Sequence, residues 1–131
     1  MKFYEPRFHE DCRRWGSFDT IPGLPGEILI THVNKDIIMG MHLHKKQQDC
    51  LAVIKGKIMI RLIKHRTNQE EKFVLSEHTH KTLIIPPNTW HGYRALEDSI
   101  LIYYIDHKYD PKGSDEFRKK TQKEDWEIEI K

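Results

Sequence analysis

"GMHLHKKQQDCLAVIKGKIMIRLI", residues 40–63, holds two histidines one residue apart, an acid at Asp49, and two short apolar runs divided by Lys55-Gly56. Runs this short, rich in Ile, Val and Leu and broken by a glycine turn, read as strands rather than helices. The same pattern extends outward in both directions, through "EILITHV" (27–33), "DIIMGMHL" (36–43), "CLAVI" (50–54), "KIMIRLI" (57–63), "EKFVL" (71–75), "KTLIIP" (81–86) and "SILIYYI" (99–105). Turn chemistry separates them, as in "PGLPG" (22–26), "VNKD" (33–36), "RTNQE" (66–70) and "PPN" (86–88). Strands at such spacing predict an all-β sandwich or barrel. Only residues 113–124, "GSDEFRKKTQKE", look capable of a helix, with Ser114 or Asp115 as its cap ahead of Glu116.

The chain has 131 residues, which predicts one domain over 1–131. Charged residues make up 32% and hydrophobic ones 37%, and no apolar run approaches the roughly 20 residues of a membrane helix. The start, "MKFYEPRFHEDCRRW", has no apolar stretch behind its charge, so no secretory signal is read and a cytoplasmic location is expected. Cys12 and Cys50 form no metal-type or redox pair and are expected as free thiols. Net charge is +2, with acids and bases interspersed, which argues against a nucleic-acid partner.

If residues 38–44 form a strand, alternation places Ile38, Gly40, His42 and His44 on one face and Met41 and Leu43 on the other. Either the histidines are solvated over an apolar core, or the apolar residues pack outward and the histidines line a cavity. A third histidine, His91, follows the proline turn of "PPNTWHGY" (86–93), where Asn88 tolerates the positive φ of a tight turn. Its spacing favours the cavity.

The two-part pattern, H-x-H-x4-D-x6-G over His42, His44, Asp49 and Gly56, then P-x-N-x-x-H over Pro86, Asn88 and His91, resembles the cupin signature, which implies a jelly-roll barrel with a short C-terminal helix or irregular tail. Cupins usually carry Glu at the acid and Gly where Asn88 stands. More narrowly, "GMHLHKKQQDCLAVIKGKIMIRLIKHR", "LIIPPNTWHGYRALEDSILIYYIDHKYDPKGSDEFR" and "DWEIEIK" resemble the dTDP-4-dehydrorhamnose 3,5-epimerase family, from about Ile28 onward. "GMHLHKK" is also similar to the H-x-H-K segment of the short dTDP-sugar 3,4-ketoisomerase cupins.

The epimerase resemblance implies a base at His42, which removes protons α to a 4-keto group, and an acid at Tyr103, which returns them on the opposite face. It places the proline-turn histidine at His91 and a glutamine at Gln47 or Gln48. Met39 stands where the family has an arginine and Asp49 where it has a ketone-polarising lysine; the aspartate that orients the base has no counterpart.

The residue chemistry suits such a reaction. An imidazole titrates near 6.5 and contributes about 10²–10⁴-fold as a placed base. Enolate stabilisation must pass from the missing lysine to His91, His44 or Lys45. Alternation lets only one of Tyr103 and Tyr104 face the cavity. Trp90 could stack on a pyrimidine or sugar, and Lys45, Lys46 and Arg94 could pair with a diphosphate. His9, His32, His65, His78, His80 and His107 read as surface or loop residues.

The expected protein is therefore a homodimeric isomerase of deoxysugar or surface-polysaccharide synthesis. It would act on a dTDP-linked 4-keto-6-deoxyhexose and need no cofactor. One alternative is a 3,4-ketoisomerase. The other is a cupin of non-epimerase function holding a divalent metal at His42, His44, Asp49 and His91, a ligand set suited to zinc, iron, nickel or manganese.

Overall fold

The computed structural model describes residues 1–113 and 115–127. Its strands are, in chain order, β1 (Arg7–Glu10), β2 (Arg14–Phe18), β3 (Glu27–Val33), β4 (Ile38–Leu43), β5 (Asp49–Lys55), β6 (Lys57–Lys64), β7 (Glu70–Ser76), β8 (Leu83–Ile85), β9 (Thr89–Ala95), β10 (Ser99–Ile105) and β11 (Phe117–Lys119), with a 3-10 turn at Lys123–Trp126. They form an all-β fold of two antiparallel sheets, in the orders β1-β2-β3-β10-β5-β8 and β11-β4-β9-β6-β7. No helix of the described residues is long and apolar enough to cross a membrane.

The seven apolar runs became β3 to β8 and β10. Their inward residues, among them Leu51, Ile58, Ile60 and Leu101, close the core between the sheets together with Ala95 of β9. Gly56 carries the chain from one sheet to the other between β5 and β6 at φ 91, and a Cβ there would lie 2.3 Å from Ser99 Oγ, so only glycine suits the turn. Asn88 has the expected positive φ, 62, and its N–H donates to the His44 carbonyl at 2.7 Å, tying the proline turn to the end of β4.

The helix expected over 113–124 is not formed. Phe117–Lys119 pairs with β4 instead, with Arg118 opposite His42, so the backbone groups find partners in the sheet edge. Asp115, expected as a helix cap, caps another segment: its carboxylate accepts the N–H groups of Lys45, Lys46 and Gln47. Ser114 lies outside the described residues. The 3-10 turn then drops Trp126, 0% exposed, onto Met41 and Met59 on the outer face of the second sheet. This explains why β4 is apolar on the side away from its histidines: its own C-terminal segment covers that side.

Candidate active site

A cavity of about 820 Å³ opens between the two sheets. One wall is β4 and β9, and a bulge shapes it. Met39 pairs with Tyr93 and His42 with His91, so three steps along β4 match two along β9 and the alternation changes phase. Met39, Gly40 and His42 line the cavity, whereas Ile38 joins Met41 under Trp126, contrary to the simple alternation that put Ile38 beside His42.

His42 Nδ1 is buried without a hydrogen-bond partner, and Glu116 Oε1 stands 3.6 Å from it. Burial, then the neighbouring His91 charge, push the imidazole down to about 4, against an upward pull from Glu116. The ring is therefore unprotonated at neutral pH, the form a base requires. Glu116 places a carboxylate beside His42, a feature for which the sequence resemblance offered no counterpart.

His44 and His91 are held differently. The Nδ1 of His44 lies 2.7 Å from the Asp115 carbonyl oxygen and that of His91 lies 3.1 Å from the Thr89 carbonyl oxygen. A carbonyl only accepts, so Nδ1 carries the proton in both rings and each Nε2 turns inward. There the two nitrogens meet one carboxylate oxygen, Asp49 Oδ2, at 3.8 Å from His44 and 3.4 Å from His91. The ligand atoms of His44, Asp49 and His91 all lie within 4.8 Å of one another, and His42 stands outside this trio. Burial pushes the Asp49 carboxyl up, but His91, whose Nε2 bonds and attracts it when the ring is protonated, and the bond from Gln47 Nε2 at 2.6 Å outweigh this and hold it below the usual range.

The opposite wall comes from the other sheet. Tyr103 of β10 lines the cavity, while Tyr104 faces the outer side beside Ile28 and Cys50. Burial, reinforced by neighbouring Tyr93, holds the Tyr103 hydroxyl well above its ordinary value, so it is a proton donor at neutral pH.

The remaining expected residues divide. Lys46 and Gln47 line the cavity. Lys45 instead lies 4.8 Å over the Phe117 ring, and Gln48 bonds through its backbone to Asp106. Trp90 and Arg94 must be corrected: on β9 they alternate with the inward Thr89, His91 and Tyr93, so both point away from the cavity. Trp90 Nε1 donates to His65 Nδ1, and Arg94 donates to the Trp126 carbonyl at 3.0 Å and to Asp36 Oδ1 at 3.1 Å. The cavity also takes residues the sequence reading passed over, notably Arg7, Arg14 and Phe18 from the β1–β2 hairpin and Glu116 and Arg118 from the C-terminal segment. For the hairpin the usable signal was the alternation of Arg14, Gly16 and Phe18; for Glu116 there was none.

A sequence model described as dTDP-4-dehydrorhamnose 3,5-epimerase matches residues 26–131. The chain belongs to the dTDP-4-dehydrorhamnose 3,5-epimerase family. A curated relative, the probable low-salt glycan biosynthesis epimerase Agl13 of Haloferax volcanii, is 31% identical over 90 residues, 63% of this chain and 58% of the relative, so the match spans less than two thirds of that protein. Among solved structures, dTDP-4-dehydrorhamnose 3,5-epimerase from Sulfolobus tokodaii is similar with a TM-score of 0.66 and 24% identity, over 86% of each chain. The capsular polysaccharide assembling protein CapF from Staphylococcus aureus gives 0.79 at 19% identity, over 88% of this chain and 32% of its own. Oxalate decarboxylase from Bacillus subtilis gives 0.73 at 14%, over 87% and 30%. These structures share the cupin jelly roll with this chain. The family match begins after the β1–β2 hairpin, which nonetheless forms part of the cavity wall.

Proposed function

We propose that the chain is a 3,5-epimerase-type isomerase acting on a dTDP-linked 4-keto-6-deoxyhexose, in the cytoplasm where such nucleotide sugars are made. The observation that carries this reading is the placement of His42 and Tyr103 in one cavity on walls supplied by opposite sheets. Inversion at carbon needs a proton removed from one face of an enolate and another delivered to the other face, and a base and an acid on facing walls meet that need. His42 takes the proton, the electron pair moves onto the ketone oxygen, and Tyr103 returns a proton to carbon from across the cavity. The test is proton NMR of dTDP-4-dehydro-6-deoxyglucose with the protein in heavy water. Deuterium should enter beside the ketone, and the absence of exchange, with the sugar bound, would overturn the reading. Exchange with movement of the ketone to C3 would instead identify the 3,4-ketoisomerase.

A second reading concerns cofactors. Two imidazole lone pairs facing one carboxylate oxygen need a positive species between them, either ring protons or a metal ion. His44, Asp49 and His91 would hold such an ion with open positions left for substrate oxygens, and bound it would supply Lewis-acid polarisation. Zinc binding measured by calorimetry tests this independently of activity.

We also propose a homodimer through the outer face of the first sheet. Ile28, Ile30, Ile100, Ile102 and Tyr104 form an apolar strip on its outward side, with His32 and Lys55 at the Ile100 end, so the strip can meet its own copy across a twofold axis. Ile102→Glu should convert the dimer to monomer in sedimentation, and an unchanged mass would exclude this interface.

A further inference from the structure

An enolate forms readily only if its oxygen meets donors already in place. In this chain the resemblance puts Asp49, which carries no cation, at the position of the family's polarising lysine. A cation must therefore reach the ketone from elsewhere. Most candidates on the cavity wall already face an acid: Arg7 lies 3.2 Å from Glu27, Lys108 3.0 Å from Asp19, Arg118 3.4 Å from Glu116 and Arg13 3.9 Å from Asp11. Lys46 sits on the exposed turn after β4.

Arg14 differs. Among the described residues it has no carboxylate partner; its guanidinium lies 5.2 Å from the centre of the Phe18 ring, and its Nε is buried without an acceptor. Tyr93 shares this condition: the residue is 4% exposed, and its hydroxyl meets no partner at hydrogen-bond geometry, the neighbouring polar group being the Tyr103 hydroxyl across the cavity. Native interiors rarely leave buried donors unpaired, and two in one cavity mark a place where a ligand oxygen belongs. The pair is brought together by the fold. Arg14 enters on β2, opposite Val33 of β3, and Tyr93 enters on β9, opposite Met39 of β4. Both line the cavity that contains His42 and Tyr103.

We propose that Arg14 and Tyr93 are the oxyanion site of the reaction, donating to the ketone oxygen of the sugar as His42 removes the proton from the adjacent carbon. The inference rests on the epimerase reading above. As the C–H bond breaks, its electron pair forms the C=C bond and the C=O π pair moves onto oxygen. Arg14 meets that charge with a guanidinium that keeps its proton at any working pH, and Tyr93 adds a second hydrogen bond. When Tyr103 reprotonates carbon, the pair returns to the carbonyl and both donors are regenerated unchanged. A tyrosine hydroxyl keeps its proton at neutral pH, so Tyr93 remains a donor throughout.

The test uses the full chain with dTDP-4-dehydro-6-deoxyglucose in heavy water, and measures deuterium entry at saturating substrate, dTDP affinity by calorimetry, and thermal melting. Arg14→Gln should slow exchange about 10²–10³-fold while leaving dTDP affinity unchanged, the loss appearing in kcat rather than KM. Tyr93→Phe, which deletes one hydroxyl without emptying the core, should slow exchange as well and decides the matter if Arg14→Gln fails to fold. Exchange at the wild-type rate in the folded variants would overturn the proposal. So would a loss confined to KM and dTDP affinity, which would make Arg14 a diphosphate ligand. Absence of exchange in the wild type, seen before any variant is made, would remove the epimerase reading itself and the oxyanion site with it.

Discussion

His44 is held by Asp115, whose main-chain oxygen lies 2.7 Å from the ring Nδ1. The Asp115 carboxylate meanwhile accepts the N–H groups of Lys45, Lys46 and Gln47 at 2.9, 2.8 and 3.1 Å. One residue of the C-terminal segment therefore fixes both the ring and the turn that follows it. Asp115→Ala should cost about 1–2 kcal/mol, as loss of a capping carboxylate does, measured by urea unfolding. Because the main-chain contact survives, the variant should still fold; an unchanged midpoint would show that the turn holds without its cap.

Local pattern and tertiary context contributed unequally to what the sequence reveals. The apolar runs identified β3 to β8 and β10 because each carries enough Ile, Val and Leu to show its inward face. β1 did not show, since every residue of "RFHE" is exposed and an edge strand without a buried face has no hydrophobic period. Trp90 and Arg94 leave the site because the chain runs on from the proline turn as a strand and sends alternate residues outward, and residue type alone does not say which face each one takes. Ile38 was misplaced by the bulge, whose extra residue leaves no mark in the sequence. The neighbourhood of Glu116 and His42 depends on β11 pairing with β4, a contact between distant segments that no local propensity encodes.

Alternation does separate the two late tyrosines, and this makes a sharp comparison. Tyr103→Phe should keep His42-dependent deuterium exchange yet stop formation of the inverted sugar, since the enolate would be reprotonated from the face it left. Tyr104→Phe, on the outer side of β10, should keep both. Full inversion by Tyr103→Phe, read by NMR of the product, would remove it as the acid.

Acid sensitivity should come in part from Glu70. Arg61 Nε donates to its Oε1 at 2.8 Å, and this bond, opposed by modest burial and aided by the Arg61 charge, holds the carboxyl below its ordinary 4.5. A depressed carboxyl stabilises the fold above its unfolded value, and that stability disappears as pH falls through the folded one. Urea midpoints should therefore decline as pH drops below 4.5, and Glu70→Gln should start lower at neutral pH and lose less on acidification. Parallel declines in the two proteins would exclude this pair as a source. The partner matters for the site as well, since the Arg61 guanidinium lies 5.2 Å from the centre of the Trp126 ring, which covers the back of β4.

The trio and His42 make separable demands, and zinc can separate them. In His44 and His91 each Nδ1 proton is directed to a carbonyl, which leaves Nε2 facing Asp49; in His42, on the same wall, Nδ1 has no partner and the ring stands outside the trio, its centre 6.2 Å from that of His91. If a divalent ion occupies the site, His44→Ala, Asp49→Asn and His91→Ala should each weaken zinc binding by two orders of magnitude or more, because each removes one of about three protein ligands. His42→Ala should bind zinc as the wild type does while losing deuterium exchange. Loss of zinc in His42→Ala as well would make His42 a fourth ligand and displace it as the base. Failure of the wild type to bind zinc or manganese in calorimetry would exclude the metal and leave ring protons as the positive charge at Asp49.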